Sequence, residues 1–449
     1  MPSRRGTRIR VDQDIRMQVR PSGYIAQLIL LACVASFAGA QHADHGMSSS
    51  LDTSTSARTH VTLQAIPLVT RADPSAGGEI ATQVVVSQFV AMVRSPLAGG
   101  RGALAATIDG EGLTIPNGEL STGGYGEGFV DRRHPHTYVH ELMLSARGRQ
   151  GPLAWSASAG RGFAPFGTDD PMMRPIVKFP INHHLAQILE RATVVGAARL
   201  GRITLEGATF GGDEPTEPSS LPRLRRFGDS WAARATITPR DGFEIQASHA
   251  RVASPEETSG TGLDQRKHSV SARSISPDGN RYLLVEWART VERDAVRRSD
   301  VFAYESTLAE GALRLGPIGI AVRVEQSGRP EEDRLASPFR TPRPATDLSI
   351  NGVTRWRAAT LNLATSEMRH RGLSGVPFLE AALLSAEARS PQSPYTPQRL
   401  YGTSRFSMLT AGIRLKLGAA HARMGRYGVA DASSPAIAGM LATGVMHAH

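Results

Sequence analysis

The sequence predicts an all-β protein: an exported chain whose mature part is a transmembrane antiparallel up-and-down β-barrel of about sixteen strands. Three observations predict this class. The N-terminus has the form of a secretory signal, the rest of the chain is a series of segments with period-two alternation, and the connections between these segments are alternately short and long. Inside a bilayer only helices and closed barrels satisfy every backbone hydrogen-bonding group, so strands that cross a membrane have to form a closed barrel.

Residues 1–40 have the three parts of a cleavable signal peptide. Six arginines precede an apolar run from Ile25 to Phe37, and Ala38-Gly39-Ala40 forms a small-residue cleavage site. The apolar run is shorter than the roughly 20 residues that a membrane-spanning helix needs. We therefore expect export and cleavage after Ala40, with translation starting at Met1 or at Met17.

Charge and hydropathy narrow the function classes. The chain carries a net charge of +10, and loss of residues 1–40 removes six arginines and two aspartates and leaves +6. A basic protein can bind nucleic acid, but an export signal and the lack of a dense Lys/Arg block argue against that partner. After Phe37 no segment approaches 18 uninterrupted apolar residues, so strands and not helices are expected to meet the lipid bilayer.

Period-two alternation is clearest in residues 405–417, where leucine, alanine and isoleucine alternate with threonine, glycine, arginine and lysine. Residues 231–237, 243–248 and 318–325 alternate in the same way. In residues 302–308 we assign Tyr304 and Leu308 to the lipid face and Glu305 to the lumen. In a membrane barrel the apolar set faces lipid and the polar set faces the lumen.

The connections distinguish a barrel from a soluble sandwich. Tight turns such as Pro239–Gly242 and Pro277–Asn280 alternate with long polar stretches such as Gly211–Asp229 and Ser327–Ser349. Outer-membrane barrels alternate short periplasmic turns with longer outer loops, whereas a sandwich has no reason to do so. We therefore expect the long connections to face the outside of a Gram-negative bacterium.

The strand number follows from parity. Fifteen strands are counted from about Thr82 onward, and bacterial single-chain barrels have even numbers. A first strand at His60–Thr70 would give sixteen; fourteen is the alternative, because residues 184–191 have helical spacing. The predicted barrel covers residues 60–418, between a disordered periplasmic leader (41–59) and a flexible C-terminal tail (419–449) that contains histidine and methionine.

Charged residues on the polar faces of the predicted strands are the pore-lining candidates. Both signs occur in similar number, which predicts a narrow or even occluded lumen, and the net basic balance favours anionic solutes. The candidates are Arg147, Arg202, Arg234, Glu244, Glu286, Glu305, Arg323, Glu325, Arg414 and Lys416.

One motif resembles a known family. Ser158–Gly167, which reads SAGRGFAPFG, is similar to the strand-end phrase G-x-x-x-x-PFG of phosphate-selective porins. The resemblance implies a porin-like outer-membrane channel for passive passage of small solutes, inserted into the lipid bilayer by the barrel-assembly machinery; it leaves open whether the chain forms a homo-oligomer. It also implies that the following loop folds into the pore. The pore-loop residues would be Phe166, Asp169, Asp170 and Arg174. The polar tail departs from the family, whose chains end in an aromatic strand.

Histidine clusters suggest a second hypothesis, an occluded barrel that handles metal or binds at the cell surface. Imidazoles bind copper and zinc, and the candidate ligands at the loop ends are His134, His136, His183 and His184. The alternative interpretation is interfacial histidines, and we place His140 in an outward-facing ring with Leu142. Otherwise no cofactor is expected.

A third hypothesis is an outer-membrane hydrolase in which Ser145 or Ser158 acts with His140. Against it, the sequence has no G-x-S-x-G, H-E-x-x-H or phosphate-binding glycine loop in a suitable context. The sequence therefore favours a transport protein over an enzyme.

Overall fold

The computed structural model describes residues 59–74, 80–113, 137–168, 171–181, 183–215, 219–221, 223–332, 350–389, 396–398, 402–418 and 423–431. Within these ranges a single antiparallel sheet contains seventeen strands. They are β1 His60–Asp73, β2 Ala81–Leu97, β3 Gly102–Asp109, β4 Val139–Gln150, β5 Leu153–Gly162, β6 Arg191–Leu200, β7 Ile203–Phe210, β8 Ser230–Arg240, β9 Phe243–Val252, β10 Asp264–Ile275, β11 Arg281–Asp294, β12 Ser299–Leu315, β13 Ile318–Glu332, β14 Ile350–Ala364, β15 Met368–His370, β16 Leu373–Ala388 and β17 Arg405–Gly418.

The sheet closes into a barrel because β1 pairs with both β2 and β17. Both β14 and the three-residue β15 pair with β16, one after the other along its length, so they occupy one position in the wall. The wall therefore has sixteen strands, and the predicted fold class is confirmed. The predicted first strand is β1, and the helical spacing after residue 182 becomes a single turn, His183–Ala186, before β6.

Short and long connections lie at opposite ends of the barrel, as the sequence predicts. Tight turns join β4 to β5, β6 to β7, β8 to β9 and β12 to β13 at one end of the barrel. We call it the short-turn end, and β17 also ends there. In the turn between β10 and β11, Asp278 accepts hydrogen bonds from the Ser276 hydroxyl and from the backbone and side-chain amides of Asn280. These bonds stabilise the carboxylate and lower the pKa of Asp278.

Burial alternates along the strands and defines two faces. On β13, Arg323 is 0% exposed while its neighbours Val322 and Val324 are 46% and 51% exposed. Outward positions on other strands carry leucine in the same way, for example Leu144 on β4 and Leu409 on β17. An apolar outer band around a closed barrel is the surface that faces lipid in outer-membrane proteins. Of the described helices, none is long and apolar enough to span a membrane.

The predicted faces are confirmed for β8, β9, β13 and β17 and are wrong for β12. Tyr304 and Leu308 are 2% and 0% exposed and point inward, whereas Glu305 is half-buried on the outer face. There its Oε1 accepts a hydrogen bond of 2.8 Å from Nε1 of Trp287. The lumen at this position is packed like a protein core, so apolar side chains fit inside it. The expectation that the inner face of a strand is polar, which holds for a water-filled pore, therefore fails here.

The outer band gives a prediction about stability. Replacing Val322 by Arg should lower the free energy of unfolding by about 2–4 kcal/mol, because a charge near the bilayer midplane loses its hydration. The matched control is Ile318→Arg on the same strand beside the short-turn end, where the cost should be about 0–1 kcal/mol. Urea unfolding in lipid vesicles measures both values. Equal costs at the two positions would contradict the assigned outer face.

Candidate functional site: the barrel lumen

The described residues between β5 and β6, which are 163–168, 171–181 and 183–190 and are called here the inward segment, lie inside the barrel. The backbone amides of Val177 and Lys178 donate to the Glu380 carboxylate on β16, both at 2.9 Å. At the far side of the lumen Nη1 of Arg234 on β8 donates to the carbonyl of Gly167 at 3.1 Å. Contacts on two widely separated strands mean that the inward segment crosses the lumen.

The described pore-loop residues of the sequence prediction lie in this segment. Phe166 is 2% exposed and packs with Phe210 and Ala232 of the wall. Arg174 donates to the Thr168 hydroxyl at 2.8 Å, and its Nη2 lies 3.5 Å from the Glu286 carboxylate. Asp169 and Asp170 lie outside the described residues.

Two glycines of the porin-like motif have a clear steric role. Gly167 has a φ of +68°, and a Cβ there would stand 1.6 Å from the carbonyl oxygen of Ala186. At Gly162 a Cβ would stand 2.3 Å from the hydroxyl of Tyr427. The first glycine therefore lets the inward segment fold onto itself, and the second leaves room for a residue from the C-terminus.

Residues 423–431, called here the C-terminal plug, also lie inside the barrel. Arg423 donates through both terminal nitrogens to the two oxygens of Glu244, at 2.9 and 3.1 Å. Arg426, 1% exposed, donates to Glu206 at 2.9 Å and to Oε1 of Gln246 at 2.6 Å. The expectation of a flexible periplasmic tail is wrong for these residues, because the inner wall supplies acceptors for both arginines.

Glu141 on β4 provides the third attachment of the plug. Its Oε1 accepts hydrogen bonds from the Gly425 amide and the Tyr427 hydroxyl, at 2.9 and 2.8 Å. Its Oε2 accepts from Arg94 at 3.1 Å and from the Thr107 hydroxyl at 2.8 Å. Every oxygen of this buried carboxylate is thus occupied, which is how a buried charge is tolerated.

The carboxylates that hold the plug are also paired with arginines of the wall. Glu206 accepts two hydrogen bonds from Arg234, at 2.7 and 2.8 Å, and Glu244 accepts one from Arg273 at 2.7 Å. The plug arginines are therefore second partners of carboxylates that the wall already neutralises. Removal of the plug leaves each of these carboxylates with a wall arginine.

The plug and the inward segment contact one another. The hydroxyl of Tyr427 accepts a hydrogen bond from the Phe163 amide at 2.9 Å. Met424 packs in an apolar cluster with Phe163, Met172 and Met173. Together the two segments form one packed layer across the lumen.

The structure places most of the predicted pore-lining residues on the inner face. These are Arg147, Arg234, Glu244, Glu286, Arg323, Glu325, Arg414 and Lys416. Two predictions are corrected: Glu305 points outward, and Arg202 is exposed in the turn between β6 and β7, where it donates to the carbonyl of Pro239. Arg202 lies in the turn directly before β7, so the alternation of that strand does not extend to it.

Lys178 and Arg414 differ from the paired arginines of the lumen. Lys178 donates to the Phe179 carbonyl at 3.2 Å, and Arg414 donates to the carbonyls of Arg174 and Pro175, both at 3.3 Å. Burial lowers the pKa of Lys178, which lies on the inward segment, to about 8. Both cations donate to neutral oxygens and form no ion pair with a described residue, but Glu380 acts on the charge of each of them from a longer distance.

The predicted outward ring at His140 is wrong. A β-bulge shifts the register between β3 and β4, so that His140 and Glu141 are both buried. Nδ1 of His140 lies 2.5 Å from Oε1 of Glu190, the last residue of the inward segment, and the Thr137 amide donates to the same oxygen at 3.0 Å. His140 therefore helps to attach the inward segment to the wall.

The remaining candidates give no assembled metal or catalytic site among the described residues. His134 and His136 lie outside the described residues, and so does the side chain of His184. The His183 ring packs against Phe179 with centroids 4.9 Å apart. The described part of the chain contains no group of three or more ligating side chains placed to hold a metal ion. Ser145 and Ser158 hydrogen-bond to each other at 2.8 Å.

Comparisons with known proteins concern the fold alone. No protein-family model matches the sequence, and none of the curated proteins does. Among solved structures, the anion-selective porin from Comamonas acidovorans aligns with 9% identity and a TM-score of 0.48 over 80% of this chain and 100% of the porin. OprB from Pseudomonas putida aligns with 10% identity and a TM-score of 0.46, and the alignment covers 80% of this chain and 94% of the OprB chain. With about one residue in ten identical, neither assigns a solute or an activity to this chain.

Proposed function

We propose that this protein is an outer-membrane channel for small solutes that its own C-terminus plugs. The observation that carries the proposal is the position of the C-terminal plug inside a closed barrel, bound to Glu141, Glu206 and Glu244. The plug follows the last described strand and joins the wall at Gly418. It can therefore leave the lumen without breaking any strand pairing, whereas the inward segment is joined to β5 and to β6.

Conductance tests the proposal. The purified full-length chain, reconstituted in a planar bilayer, should conduct weakly or in brief openings, and a chain that stops at Gly418 should conduct steadily. A reversal potential under a salt gradient then gives the ratio of anion to cation permeability. If neither form conducts ions, the barrel is occluded by the inward segment as well, and the binding-type barrel replaces the channel.

We also propose an ion selectivity for the channel: without the plug it should prefer anions to cations. Lys178 and Arg414 donate to carbonyl oxygens and form no ion pair with a described residue, so we expect them to contribute the net positive charge of the path once the plug has left. Charged rings in a pore set the local ion concentration. The paired arginines contribute little, because their carboxylate partners cancel their charge.

Selectivity should depend on pH through Lys178. Its pKa is lowered to about 8, so its charge is present below that pH and is lost as the pH rises through it. In the chain that stops at Gly418, the anion-to-cation permeability ratio should fall between about pH 7 and about pH 9, roughly one pH unit on either side of the midpoint. The same chain with Lys178→Met should show a low ratio and little change over this range. An unchanged ratio in both chains would exclude Lys178 from the conducting path.

The orientation gives a prediction of its own. A protease site inserted at residues 333–349, in the long connection between β13 and β14, should be cut by protease added to whole cells. An insertion in the turn Pro277–Asn280 should be cut only after the outer membrane is broken, because short turns face the periplasm. Cleavage with the opposite sidedness would reverse the orientation of the barrel.

A further inference from the structure

A group of cationic and imidazole side chains lies on the outer face of β9, β10 and β11 beside the long connections. We call it the rim patch; its members are His249, Arg251, Arg266, His268 and Arg289. In the strand register Arg251 is opposite Arg266, and His268 is opposite both His249 and Arg289. The Nδ1 atoms of the two histidines are 3.2 Å apart.

This arrangement is unfavourable by itself, because like charges directly across a strand pair repel each other. Asp264 pairs with Arg251 at 3.0 Å, and Glu305, opposite Arg289 in the register, accepts the Trp287 hydrogen bond. Arg266 and Arg289 form no hydrogen bond or ion pair with any described residue. Within the described part of the chain the rim patch therefore keeps a positive excess.

Other arginines on the rim do have acidic partners. Arg355 and Arg357, on the outer side of β14, lie 3.6 and 3.9 Å from the carboxylate of Glu387 on β16. Their charge is thus shared with an acidic neighbour. Arg355 and Arg357 therefore provide a compensated pair with which the rim patch can be compared.

The depth of the rim patch indicates what faces it. Toward the short-turn end the outward residues are Val270 on β10 and, on β9, Ala247 followed by Ile245; Ile245 and Val270 are 37% and 38% exposed. Trp231, at the same height as Arg251 in the register, has its ring 5.2 Å from that of His249, and tryptophan is enriched where a barrel crosses from hydrocarbon to headgroups. The rim patch therefore lies at the headgroup level of the leaflet on the long-connection side.

We propose that the rim patch binds the phosphate of an anionic lipid of the outer leaflet, with the acyl chains against Ile245 and Val270. Guanidinium groups match phosphate oxygens in geometry and charge, and Arg266 and Arg289 flank the histidine pair from two strands. The proposal rests on the membrane location of the proposed function and not on conduction. A failure of the conductance test would leave it unaffected.

Lipid retention tests the proposal. The full-length protein in a neutral detergent is titrated with phosphatidic acid or with phosphatidylcholine, and bound lipid is measured by native mass spectrometry. The wild type should bind phosphatidic acid at least about tenfold more tightly, since each arginine near a charged headgroup contributes on the order of 1 kcal/mol. The double variant R266Q/R289Q should lose this preference, and R355Q/R357Q, with the same loss of charge, should keep it.

Two outcomes would overturn the proposal: equal binding of the two lipids by the wild type, or an equal loss in both double variants. Heat-modifiable migration on a gel confirms that each variant is folded before the comparison. An excess of inorganic phosphate should not displace the phosphatidic acid, because free phosphate has no acyl chains to lie on the apolar band. Displacement by inorganic phosphate would mean that the rim patch binds the free ion and not a lipid.

Discussion

A chain that stops at Gly418 should conduct several-fold more current than the full-length protein while keeping its barrel. The deletion removes the plug contacts of Glu141, Glu206 and Glu244, and with them the apolar contact between Met424 and the inward segment. It leaves the wall intact, because Arg94, Arg234 and Arg273 still pair with the three carboxylates. Single-channel recording measures the effect, and heat-modifiable migration checks the fold.

Two further chains separate the plug from the tail beyond it. Deletion of residues 432–449 alone keeps the plug and should leave conductance at the wild-type level. The full-length variant R423E/R426E places two carboxylates against Glu244 and Glu206 and should conduct like the deletion at Gly418. If removal of the plug and removal of the distal tail have the same effect, residues 423–431 do not close the path.

Replacing Arg323 by Ala should lower the free energy of unfolding by about 3–5 kcal/mol, the usual cost of leaving buried partners uncompensated. Arg323 is 0% exposed and lies 3.0 Å from Glu310 and 3.3 Å from Glu325. It also donates to the carbonyl of Lys178, so its loss releases the inward segment at that point. Urea unfolding in vesicles measures the change.

The matched variants are Arg414→Ala and the triple substitution R323M/E310Q/E325Q. Arg414 donates only to carbonyl oxygens, so its loss should cost about 1 kcal/mol, as for one ordinary hydrogen bond. The triple substitution removes the charges together and should recover most of the stability that Arg323→Ala loses. A similar loss in all three proteins would mean that side-chain volume and not charge compensation makes Arg323 important.

The barrel could be predicted from the sequence because its two strongest constraints are local. Alternation places Val322 against lipid and Arg323 inside, and tight turns require proline, aspartate and glycine at fixed positions such as Pro277–Asn280. Both signals are contained within a few residues. Strand pairing along the chain then follows, since each strand pairs with its sequence neighbour.

Apart from Arg202, which lies in a turn, the errors occur where an inner surface meets another segment of the chain. Tyr304 and Leu308 look like lipid-facing residues, but they pack in a lumen that the inward segment fills. His140 is turned inward by one extra residue on β4, which alternation cannot reveal. The plug has no periodic pattern; its only signal is the sequence Arg423-Met424-Gly425-Arg426-Tyr427, whose partners lie on β4, β8 and β9, far away in the sequence.

The pairing of β1 with β17 has a consequence for how the protein is assembled. All other pairs join strands that follow one another along the chain, with only the three-residue β15 between β14 and β16, and can form as the chain grows. The hydroxyls of Thr70 and Thr410, in contrast, meet across 340 residues of sequence. The entropy of closing so long a loop makes this the slow, last step of folding. Until then β1 and β17 present open edges, which are sites of aggregation. Substitutions that weaken this seam should therefore reduce the yield of folded protein in the membrane more than they reduce the stability of the finished barrel.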